Sequence, residues 1–474
     1  MVKKVGMIKY TMVASLLPLL FTGCMSNMAA SIGVDTTGSK EQSELFAKGN
    51  YNKAAEIAIS NKDQEVDIDE AHLLSTLKGA NTLLYANDYE TSTRLFDDAE
   101  RSIKYHREEM LASSTTDYLA KIIVNDAAID YHASAWDSVL VNTYKSLNYM
   151  ALGKMAEARV ELNRAVDRQR LAKEAYAEHI KKQEDAIDEK RKTGGSAFSK
   201  TIDNPKINDL VKSKYSTLDA FEAYPDFINP FTTYLAGIFS TINGDYTKAS
   251  SLLKQSYGMM PNNKTAEKDF VMVENALNTG TPINDNYVWV IYENGLGPIK
   301  EQYKIHIPLF LVTSKVQYTG IALPKMKTRS LATMNMSILD GTGVLTKTEN
   351  IADMDRVIQT EFKYQYPYIV TRAVLSTFVK TLTQYQIQKN LGGWAGLATS
   401  VLQFATTQAD TRIWNTVGKE FQIARVKMPQ NHSLTLKAGE HNINVALAEN
   451  AKHSIVYVRI PTAMSKPSVS VANF

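Results

Sequence analysis

The chain has 474 residues, with 53 Lys and Arg against 50 Asp and Glu, 44% hydrophobic residues and a single cysteine. One cysteine excludes an intramolecular disulfide framework and cysteine-based zinc fingers, since both need at least two thiols. A net charge of +3 does not favour nucleic acid as a partner, and the ordinary hydrophobic fraction excludes a wholly disordered chain and a multi-span membrane protein. A chain of this length is expected to form two or three domains.

Residues 1–23 have the pattern of a lipoprotein signal peptide. Three lysines supply positive charge, and residues 11–21 form an apolar run that is too short to span a bilayer. The Leu-Phe-Thr-Gly-Cys stretch that follows resembles a bacterial lipobox, in which the cysteine, here Cys24, is acylated and the peptide is cut just before it. An ordinary signal peptide with an incidental cysteine is the alternative. Met25 does not resemble the Asp of an inner-membrane retention signal, so we expect a lipid anchor in the outer membrane, facing the periplasm.

Residues 24–40 are rich in Ser, Thr and Gly and lack a hydrophobic period, which indicates a lipidated flexible tether. Beyond the cysteine, charge is distributed unevenly. Residues 25–284 hold 30 basic and 38 acidic residues, a net charge of −8, whereas residues 285–474 hold 20 and 12, a net charge of +8. The two regions can therefore dock on each other, or the basic region can face anionic envelope polymers or lipid head groups.

A local pattern recurs four times between residues 41 and 280: a turn, then Tyr or Met, then a small residue three places on. It resembles the tetratricopeptide helix-turn-helix, in which Gly permits the turn and the small residue lets paired helices approach closely. The copies are Gly49, Tyr51 and Ala54; Asn87, Asp88, Tyr89 and Ser92; Gly153, Met155 and Ala158; and Gly244, Tyr246 and Ala249.

The spacing of these copies is irregular. Their Tyr or Met positions are separated by 38, 66 and 91 residues, whereas a regular array repeats about every 34. We therefore predict a degenerate TPR-like helical solenoid with inserted helices over residues 41–280. An irregular helical bundle in which the turns recur by accident is the alternative. Solenoids present extended binding surfaces, so this fold favours a binding function over catalysis.

One insertion, at residues 157–193, is unusually charged. Nineteen of the 36 residues from Glu157 to Lys192 are charged, and the apolar positions thin out along the segment. We expect a long helix that leaves the core and projects into solvent. Its charged surface is interpreted as solvated, with a coiled-coil docking arm as the alternative.

The pattern changes near residues 278–285, which form a turn-rich linker, and residues 285–474 are predicted to form a smaller α+β domain. A helical stretch, with Pro367 opening its central segment, is flanked by strands on both sides, so a mixed or antiparallel sheet assembled from both ends of the segment is expected. Strands are predicted at 287–292, 303–312, 316–323, 421–428, 433–437, 441–446 and 454–460, and the helical stretch at about 351–410.

Three short motifs in this second region resemble those of an uncharacterised bacterial envelope lipoprotein family with tetratricopeptide-like helices at its N-terminus. They are Gly297-Pro298-Ile299-Lys300-Glu301, Gly320-Ile321-Ala322-Leu323-Pro324 and Ala409-Asp410-Thr411-Arg412-Ile413-Trp414. The resemblance implies an envelope lipoprotein without an established activity. The residues themselves favour structural roles: Arg412 pairing with a carboxylate or with terminal carbonyls, and Trp414 packing beneath it.

Residues 390–409 contain no charged residue but include three glycines and several hydroxyl and amide side chains. Such a stretch favours a helix buried in the domain core. A helix that buries itself in a partner or a lipid surface is the alternative.

The sequence carries little sign of catalysis. The eight histidines lack the H-x-x-x-H and H-x-H spacings of metal sites, and no phosphate-binding or nucleophile motif is present. We therefore expect no cofactor and no metal. The leading hypothesis is a periplasmic scaffold or adaptor that binds an envelope protein through its helices, in envelope or cell-wall assembly. The alternatives are a peptidoglycan- or anionic-lipid-binding module and, less favoured, a glycan-cleaving enzyme that would need a pair of facing carboxylates.

Overall fold

The computed structural model describes residues 37–60, 72–112, 131–193, 228–307, 319–391 and 409–474, and four isolated residues, Pro205, Asp209, Ser213 and Tyr224. The predicted signal peptide, Cys24 and most of the predicted tether lie outside these residues. Most of the uncharged stretch 390–409 also lies outside them. Within the described part, helices come first and sheets follow, with one further long helix among the strands, so the protein combines an α region with an α+β region.

The described residues of the first region form four helix pairs and one additional helix. The pairs are α1 (Thr37–Ala47) with α2 (Tyr51–Ser60), α3 (Leu73–Tyr85) with α4 (Tyr89–Ala112), α5 (Ala135–Ala151) with α6 (Met155–Thr193), and α7 (Pro230–Ile242) with α8 (Tyr246–Met259); α9 (Lys264–Thr279) follows.

The four pairs share the same turn. In the last pair the Gly244 amide donates to the Thr241 carbonyl at 3.1 Å and the Asp245 amide to the Ser240 carbonyl at 2.9 Å, which is the Schellman pattern. This turn needs a residue with positive φ, and the four residues there have φ of 65 to 75°: Gly49, Asn87, Gly153 and Gly244. The small residues that follow are all buried: Ala54, Ser92, Ala158 and Ala249. The predicted turns are therefore present, whereas the TPR-like solenoid stays a prediction.

In the second region, residues 287–307, 319–391 and 409–474 form eleven strands in three sheets and one long helix, α10 (Met354–Leu391). A five-stranded sheet has the order β11-β10-β1-β7-β6, a four-stranded sheet the order β5-β4-β8-β9, and β2 and β3 form a two-stranded ribbon. The strands are β1 (Tyr287–Asn294), β2 (Ile299–Ile307), β3 (Thr319–Lys327), β4 (Ser337–Asp340), β5 (Gly343–Lys347), β6 (Glu349–Asp353), β7 (Glu420–Lys427), β8 (Ser433–Ala438), β9 (His441–Ala446), β10 (Ser454–Ile460) and β11 (Ser468–Asn473).

The five-stranded sheet is mixed and is built from both ends of the region, as predicted. Strand β1 pairs in parallel with β10 and antiparallel with β7. Alternate residues of β1 face opposite sides of the sheet. Trp289 and Ile291 pack against the helices, whereas Val288, Val290 and Tyr292 pack against the four-stranded sheet. Burial on both faces explains why β1 is a nearly continuous apolar run in the sequence.

One hydrophobic core joins the helices to this sheet. The ring of Phe231 in α7 stacks on that of Phe421 in β7, with centroids 3.9 Å apart and planes 3° apart. Close by, Arg425 of β7 lies 2.7 Å from Asp269 of α9 in a buried ion pair. The acidic helical region and the basic sheet region therefore meet partly inside the molecule.

A smaller core lies under the β2–β3 ribbon. Here Ile305, Ile321 and Leu323 of the ribbon pack against Phe362 and Ile369 of α10. This core is separate from the one that joins the helices to the five-stranded sheet, so the ribbon is held mainly by α10.

Helix α6 continues well past the helix with which it pairs. Arg168 donates to the Ser138 carbonyl near the start of α5 at 2.9 Å, and α6 then continues to Thr193, about 37 Å further at 1.5 Å per residue. This distal part lies along α10, where the Tyr368 hydroxyl donates to Glu184 at 2.7 Å. We call residues 173–193, α10 and the β2–β3 ribbon the arm. The charged helix is therefore as long as predicted, but one side of its distal part is buried and not solvated.

The structure differs from the sequence predictions at several element boundaries. The residues just before Met354 form β6 and not the start of a helix, and Pro367 lies inside α10 instead of opening a segment, so tertiary packing overrides the missing amide. Strands β4, β5 and β6 are absent from the sequence prediction because they are four or five residues long and lack a clear hydrophobic alternation. Strand β11 is also absent from it, although its Ser-Val-Ser-Val start alternates.

Candidate functional site

A buried ion pair lies where the helices meet the five-stranded sheet. Glu293 at the end of β1 and Arg459 in β10 are both fully buried, and Arg459 Nε lies 3.7 Å from Glu293 Oε1. The parallel register places these two residues opposite each other on neighbouring strands. Position 293 follows the alternation of Trp289 and Ile291, so the carboxylate faces the helices.

The Glu293 carboxylate accepts hydrogen bonds from both regions of the chain. Oε1 accepts from the Tyr144 hydroxyl at 2.9 Å and from the Gly418 amide at 2.6 Å. Oε2 accepts from the Tyr85 hydroxyl at 2.7 Å and from that of Tyr457. Burial, reinforced by the Glu293 charge, raises the pKa of all three tyrosines, which keeps them protonated as donors. We call these residues and Arg459 the central junction.

Arg459 completes the central junction by holding the backbone around it. Its guanidinium donates to the Gly295 carbonyl at 2.6 Å and to the Thr416 carbonyl at 3.2 Å, which ties the turn after β1 to the segment before β7. It also lies 5.4 Å from the centre of the Tyr85 ring. Burial is the largest single influence on the pKa of Arg459 and lowers it, but the Glu293 charge and the surrounding tyrosines together outweigh burial and raise it. The junction thus pairs its two opposite charges within the fold, although Arg459 Nε has no hydrogen-bond partner among the described residues.

Two of the motif residues serve packing beside this junction. Trp414 is fully buried; its ring stacks on Trp136 at 6.2 Å between centroids and lies 5.7 Å from Tyr144. A Cβ atom on Gly297 would lie 2.8 Å from a side-chain carbon of Val417 and 3.0 Å from the Gly418 carbonyl oxygen, so a larger residue would force these atoms to shift. Trp414 packs among aromatic rings of the helices.

The other motif residues lie along the ribbon and the loop that precedes β7. Arg412 donates to Asp410 with two hydrogen bonds, of 2.9 and 3.0 Å. Burial would raise the pKa of Asp410, but the bonds and charge of Arg412 outweigh burial and lower it.

Glu301 forms an exposed ion pair of 2.5 Å with Lys327 across the ribbon. In the same ladder Gly320 lies opposite His306, and Pro324 opposite Gln302, while Pro298 is buried just before Ile299.

Two buried carboxyl groups lie at the root of the arm, and we call them the acid pair. Asp137 in the first turn of α5 accepts the Ser134 amide at 2.8 Å and the Tyr131 hydroxyl at 2.7 Å. Glu361 of α10 accepts the next amide along the chain, that of Ala135, at 2.9 Å. Both carboxyl groups therefore sit at the same helix N-terminus.

The acid pair is tuned by burial. Burial raises the pKa of Glu361 to about 8, with the Asp137 charge adding to the effect, although the amides of α5 and Lys300 oppose it. Burial also raises the pKa of Asp137 to about 6 against the opposing hydrogen bond from Tyr131. Lys300, one of the motif residues, thus acts on both carboxyl groups from the ribbon.

Sequence reasoning did not identify the central junction or the acid pair. It also missed Lys145 of α5, which lies 2.7 Å from Asp97, 2.9 Å from Glu100 and 3.1 Å from Glu161. The sequence signal for such a residue is a single charge inside an otherwise apolar run, as in the strand that contains Arg459. This signal indicates a buried charge but does not identify the residues that pair with it.

Comparison with known proteins adds no further assignment: no family model, curated protein or solved structure matches this chain. Within the described ranges, no helix has both the length and the apolar character needed to cross a bilayer. The same part of the chain contains no cluster of three or more His, Cys, Asp or Glu residues suited to a metal ion.

Proposed function

We propose that this protein is an outer-membrane lipoprotein, anchored through acylated Cys24, that acts in the periplasm as a scaffold or adaptor for an envelope protein. Its TPR-like helices and its arm provide the binding surface, and the process served is envelope or cell-wall assembly. The observation that carries the proposal is the arm together with Leu171 just before it on α6: Tyr364 and Leu171 leave large hydrophobic side chains exposed on an otherwise charged surface.

The proposed binding surface follows from packing and exposure. One face of the helices packs against the chain's own sheet, as the Phe231–Phe421 stack illustrates. A partner is therefore expected on the outer surface and the arm. Leu171 on α6 is 43% exposed and Tyr364 on α10 is 51% exposed, and exposed apolar groups of this size are typical of contact sites when they cluster.

Site-specific photocrosslinking in intact cells tests the adaptor function. A photoreactive residue in place of Leu171 or Tyr364 should capture one dominant envelope protein. Met464, which is 88% exposed near the five-stranded sheet, is the control position and should not capture that protein. Equal capture from all three positions, or adducts with no protein from the arm, would rule out the arm as the binding surface.

The anchor is tested separately. Replacing Cys24 by Ser removes the acylated thiol, so the variant should move from the outer-membrane fraction to the soluble periplasmic fraction. A variant that stays with the outer membrane would show that the predicted lipobox is wrong, independently of the crosslinking result.

A peptidoglycan- or anionic-lipid-binding function is the second candidate, and one surface favours it. The outer face of the four-stranded sheet carries Lys347 and Lys437 in one cross-strand row on either side of Ser337, and both lysines are exposed. Cosedimentation of the full-length protein with isolated sacculi, and separately with anionic vesicles, distinguishes the two ligands. Exchange of both lysines for Glu should abolish whichever binding occurs.

A further inference from the structure

The acid pair places two carboxyl groups from different elements on neighbouring amides. Asp137 belongs to α5, whereas Glu361 belongs to α10, the central helix of the arm. The amides of Ser134 and Ala135 are consecutive, so the two carboxyl groups meet at a single helix start. This contact is one of the places where the arm is fastened to the rest of the molecule.

A single helix N-terminus does not suit two buried anions. Its dipole is equivalent to about half a positive charge, and each buried carboxylate makes ionisation of the other less favourable. Moreover, Asp137 Oδ1 is fully buried and has no hydrogen-bond partner within the described part of the chain. One proton on the pair removes a negative charge and gives the cluster an additional hydrogen-bond donor.

Other charged and titratable groups surround the pair on every element that packs against it. The ribbon contributes Lys300, and the loop before β7 contributes the Asp410–Arg412 ion pair. Helix α6 contributes Tyr176, whose pKa is influenced by Tyr368 and Arg372 of α10. Tyr131 lies just before α5. Lys300 acts on both carboxyl groups, and one cation does not compensate two full negative charges.

We propose that Asp137 and Glu361 form one proton-binding site that fastens the arm to α5 while it holds a proton and loosens the arm when both groups are ionised. The proton comes from water and binds one carboxylate oxygen; no other bond changes. The inference concerns the attachment of the arm and does not depend on the proposed adaptor function.

The direction of the pH effect follows from the raised pKa of Glu361. A carboxyl group whose pKa is higher in the folded state than in the unfolded one stabilises the fold most at low pH and loses that contribution as pH rises. For Glu361 the loss extends from the ordinary value of 4.5 to about 8. The arm root is therefore fastened in mildly acidic conditions and loosened in alkaline ones.

Hydrogen exchange of the full-length protein at about pH 6 and pH 9, corrected for the intrinsic pH dependence of exchange, tests the proposal. In the natural protein, protection of the amides at residues 354–374 and in the ribbon should fall about tenfold or more, since each pKa unit corresponds to a factor of ten. Glu361→Gln keeps an acceptor for the Ala135 amide but cannot ionise, so its protection should stay nearly constant. Strands β1 and β10 should be unaffected in both proteins.

Two further variants keep the test decisive. Glu301→Gln removes an exposed carboxylate from the same arm and should retain the natural pH dependence. Asp137→Asn removes the charge that adds to the raised pKa of Glu361, so its loss of protection should move to lower pH, and it replaces Glu361→Gln if that variant does not fold. Infrared difference spectra should show a protonated carboxyl group at pH 6 that is lost by pH 9. The proposal is overturned by an unchanged pH dependence in the acid-pair variants, or by no carboxyl signal in the natural protein.

Discussion

Glu293 stabilises this fold through its position more than through its charge alone. It is the shared acceptor for three tyrosine hydroxyls, one of them from α3 and one from α5, and for the amide of Gly418. Removing it would leave Arg459 buried without its ion partner, and an uncompensated buried charge is far more costly than the loss of an exposed pair. A single carboxylate therefore couples the helical region to the sheet.

We predict that Glu293→Ala lowers the free energy of unfolding by about 3 to 5 kcal/mol. Urea unfolding followed by circular dichroism measures the change. The matched control is Glu301→Ala, which breaks the exposed pair with Lys327 and should cost at most about 1 kcal/mol. Similar, small losses in both variants would show that the central junction contributes little.

The Schellman turns offer a second comparison, between residues with the same backbone conformation. Gly49 and Gly244 both have φ of 75°, so alanine at either position costs about 1 to 2 kcal/mol for the left-handed conformation. At Gly49 the added Cβ would also lie 2.5 Å from the Lys466 amide nitrogen, whereas at Gly244 it would meet no atom within 4 Å. We predict that Gly49→Ala destabilises the protein by about 1 to 3 kcal/mol more than Gly244→Ala.

Thermal and urea unfolding of the two alanine variants provide the measurement. Equal losses would mean that the segment around Lys466 moves aside without cost, and that its contact with the first turn is weak.

The turns were predictable from sequence, whereas the buried charges were not. A glycine or asparagine after an apolar helix is a local signal, because the positive φ and the Schellman bonds involve residues within one helical turn. Glu293 ends a strand, a position that is commonly exposed. Its burial depends on Tyr85 and Tyr144, which lie 208 and 149 residues away in the chain, and sequence alone does not indicate such distant partners.

At the scale of elements, α10 organises the arm. Phe362 faces the ribbon, where it packs near Leu323, whereas Tyr364 points away and is half exposed. The two side chains lie close together on one helix but on different faces. Substituting each in turn therefore separates the effect of the ribbon contact from a general effect on the helix.

We predict that Phe362→Ala increases hydrogen exchange in β2 and β3 while β1 and β10 keep their protection. Loss of a buried phenylalanine costs about 3 to 5 kcal/mol, and Phe362 is one of the largest side chains in the core under the ribbon. Tyr364→Ala is the control and should leave exchange in the ribbon unchanged. A uniform increase across the whole molecule in Phe362→Ala would contradict a local role.

Sequence patterns located strands with a clear hydrophobic signal and missed several short ones. Strands β7 to β10 lie within one residue of the predicted bounds at every end. The burial of β8 and β9 alternates along the strand, whereas β10 is a continuous, fully buried run. Strand β5 is exposed at four of its five positions, so its hydrophobic pattern carries no signal. It is formed instead by pairing with β4 in a tight hairpin.

At the scale of the molecule, the helical region and the sheet share a hydrophobic core and buried ion pairs. Cutting the chain between α9 and β1 would expose Trp289, Ile291 and Phe421, which pack against the helices. We predict one cooperative unfolding transition, detected identically by tryptophan fluorescence and circular dichroism. Two separate transitions would show that the regions fold independently.

The isolated fragment 285–474 should therefore bind a hydrophobic dye or aggregate, whereas fragment 37–474, which lacks the predicted signal peptide and most of the tether, should unfold like the full chain. A fragment 285–474 with its own cooperative transition would contradict this expectation and would make the sheet region a separate domain.

The contact between the first turn and the segment around Lys466 has a consequence for the time course of folding. The Lys466 amide donates to the Lys48 carbonyl at 3.3 Å, and the Thr462 hydroxyl donates to the Ala47 carbonyl at 2.9 Å. Strand β1 likewise cannot complete its own pairing until β10 has been synthesised. Contacts this far apart in sequence slow folding. The first helices to be synthesised therefore lack these contacts until more than 400 further residues have been added. During that interval the chain depends on whatever shields its apolar helix faces from aggregation.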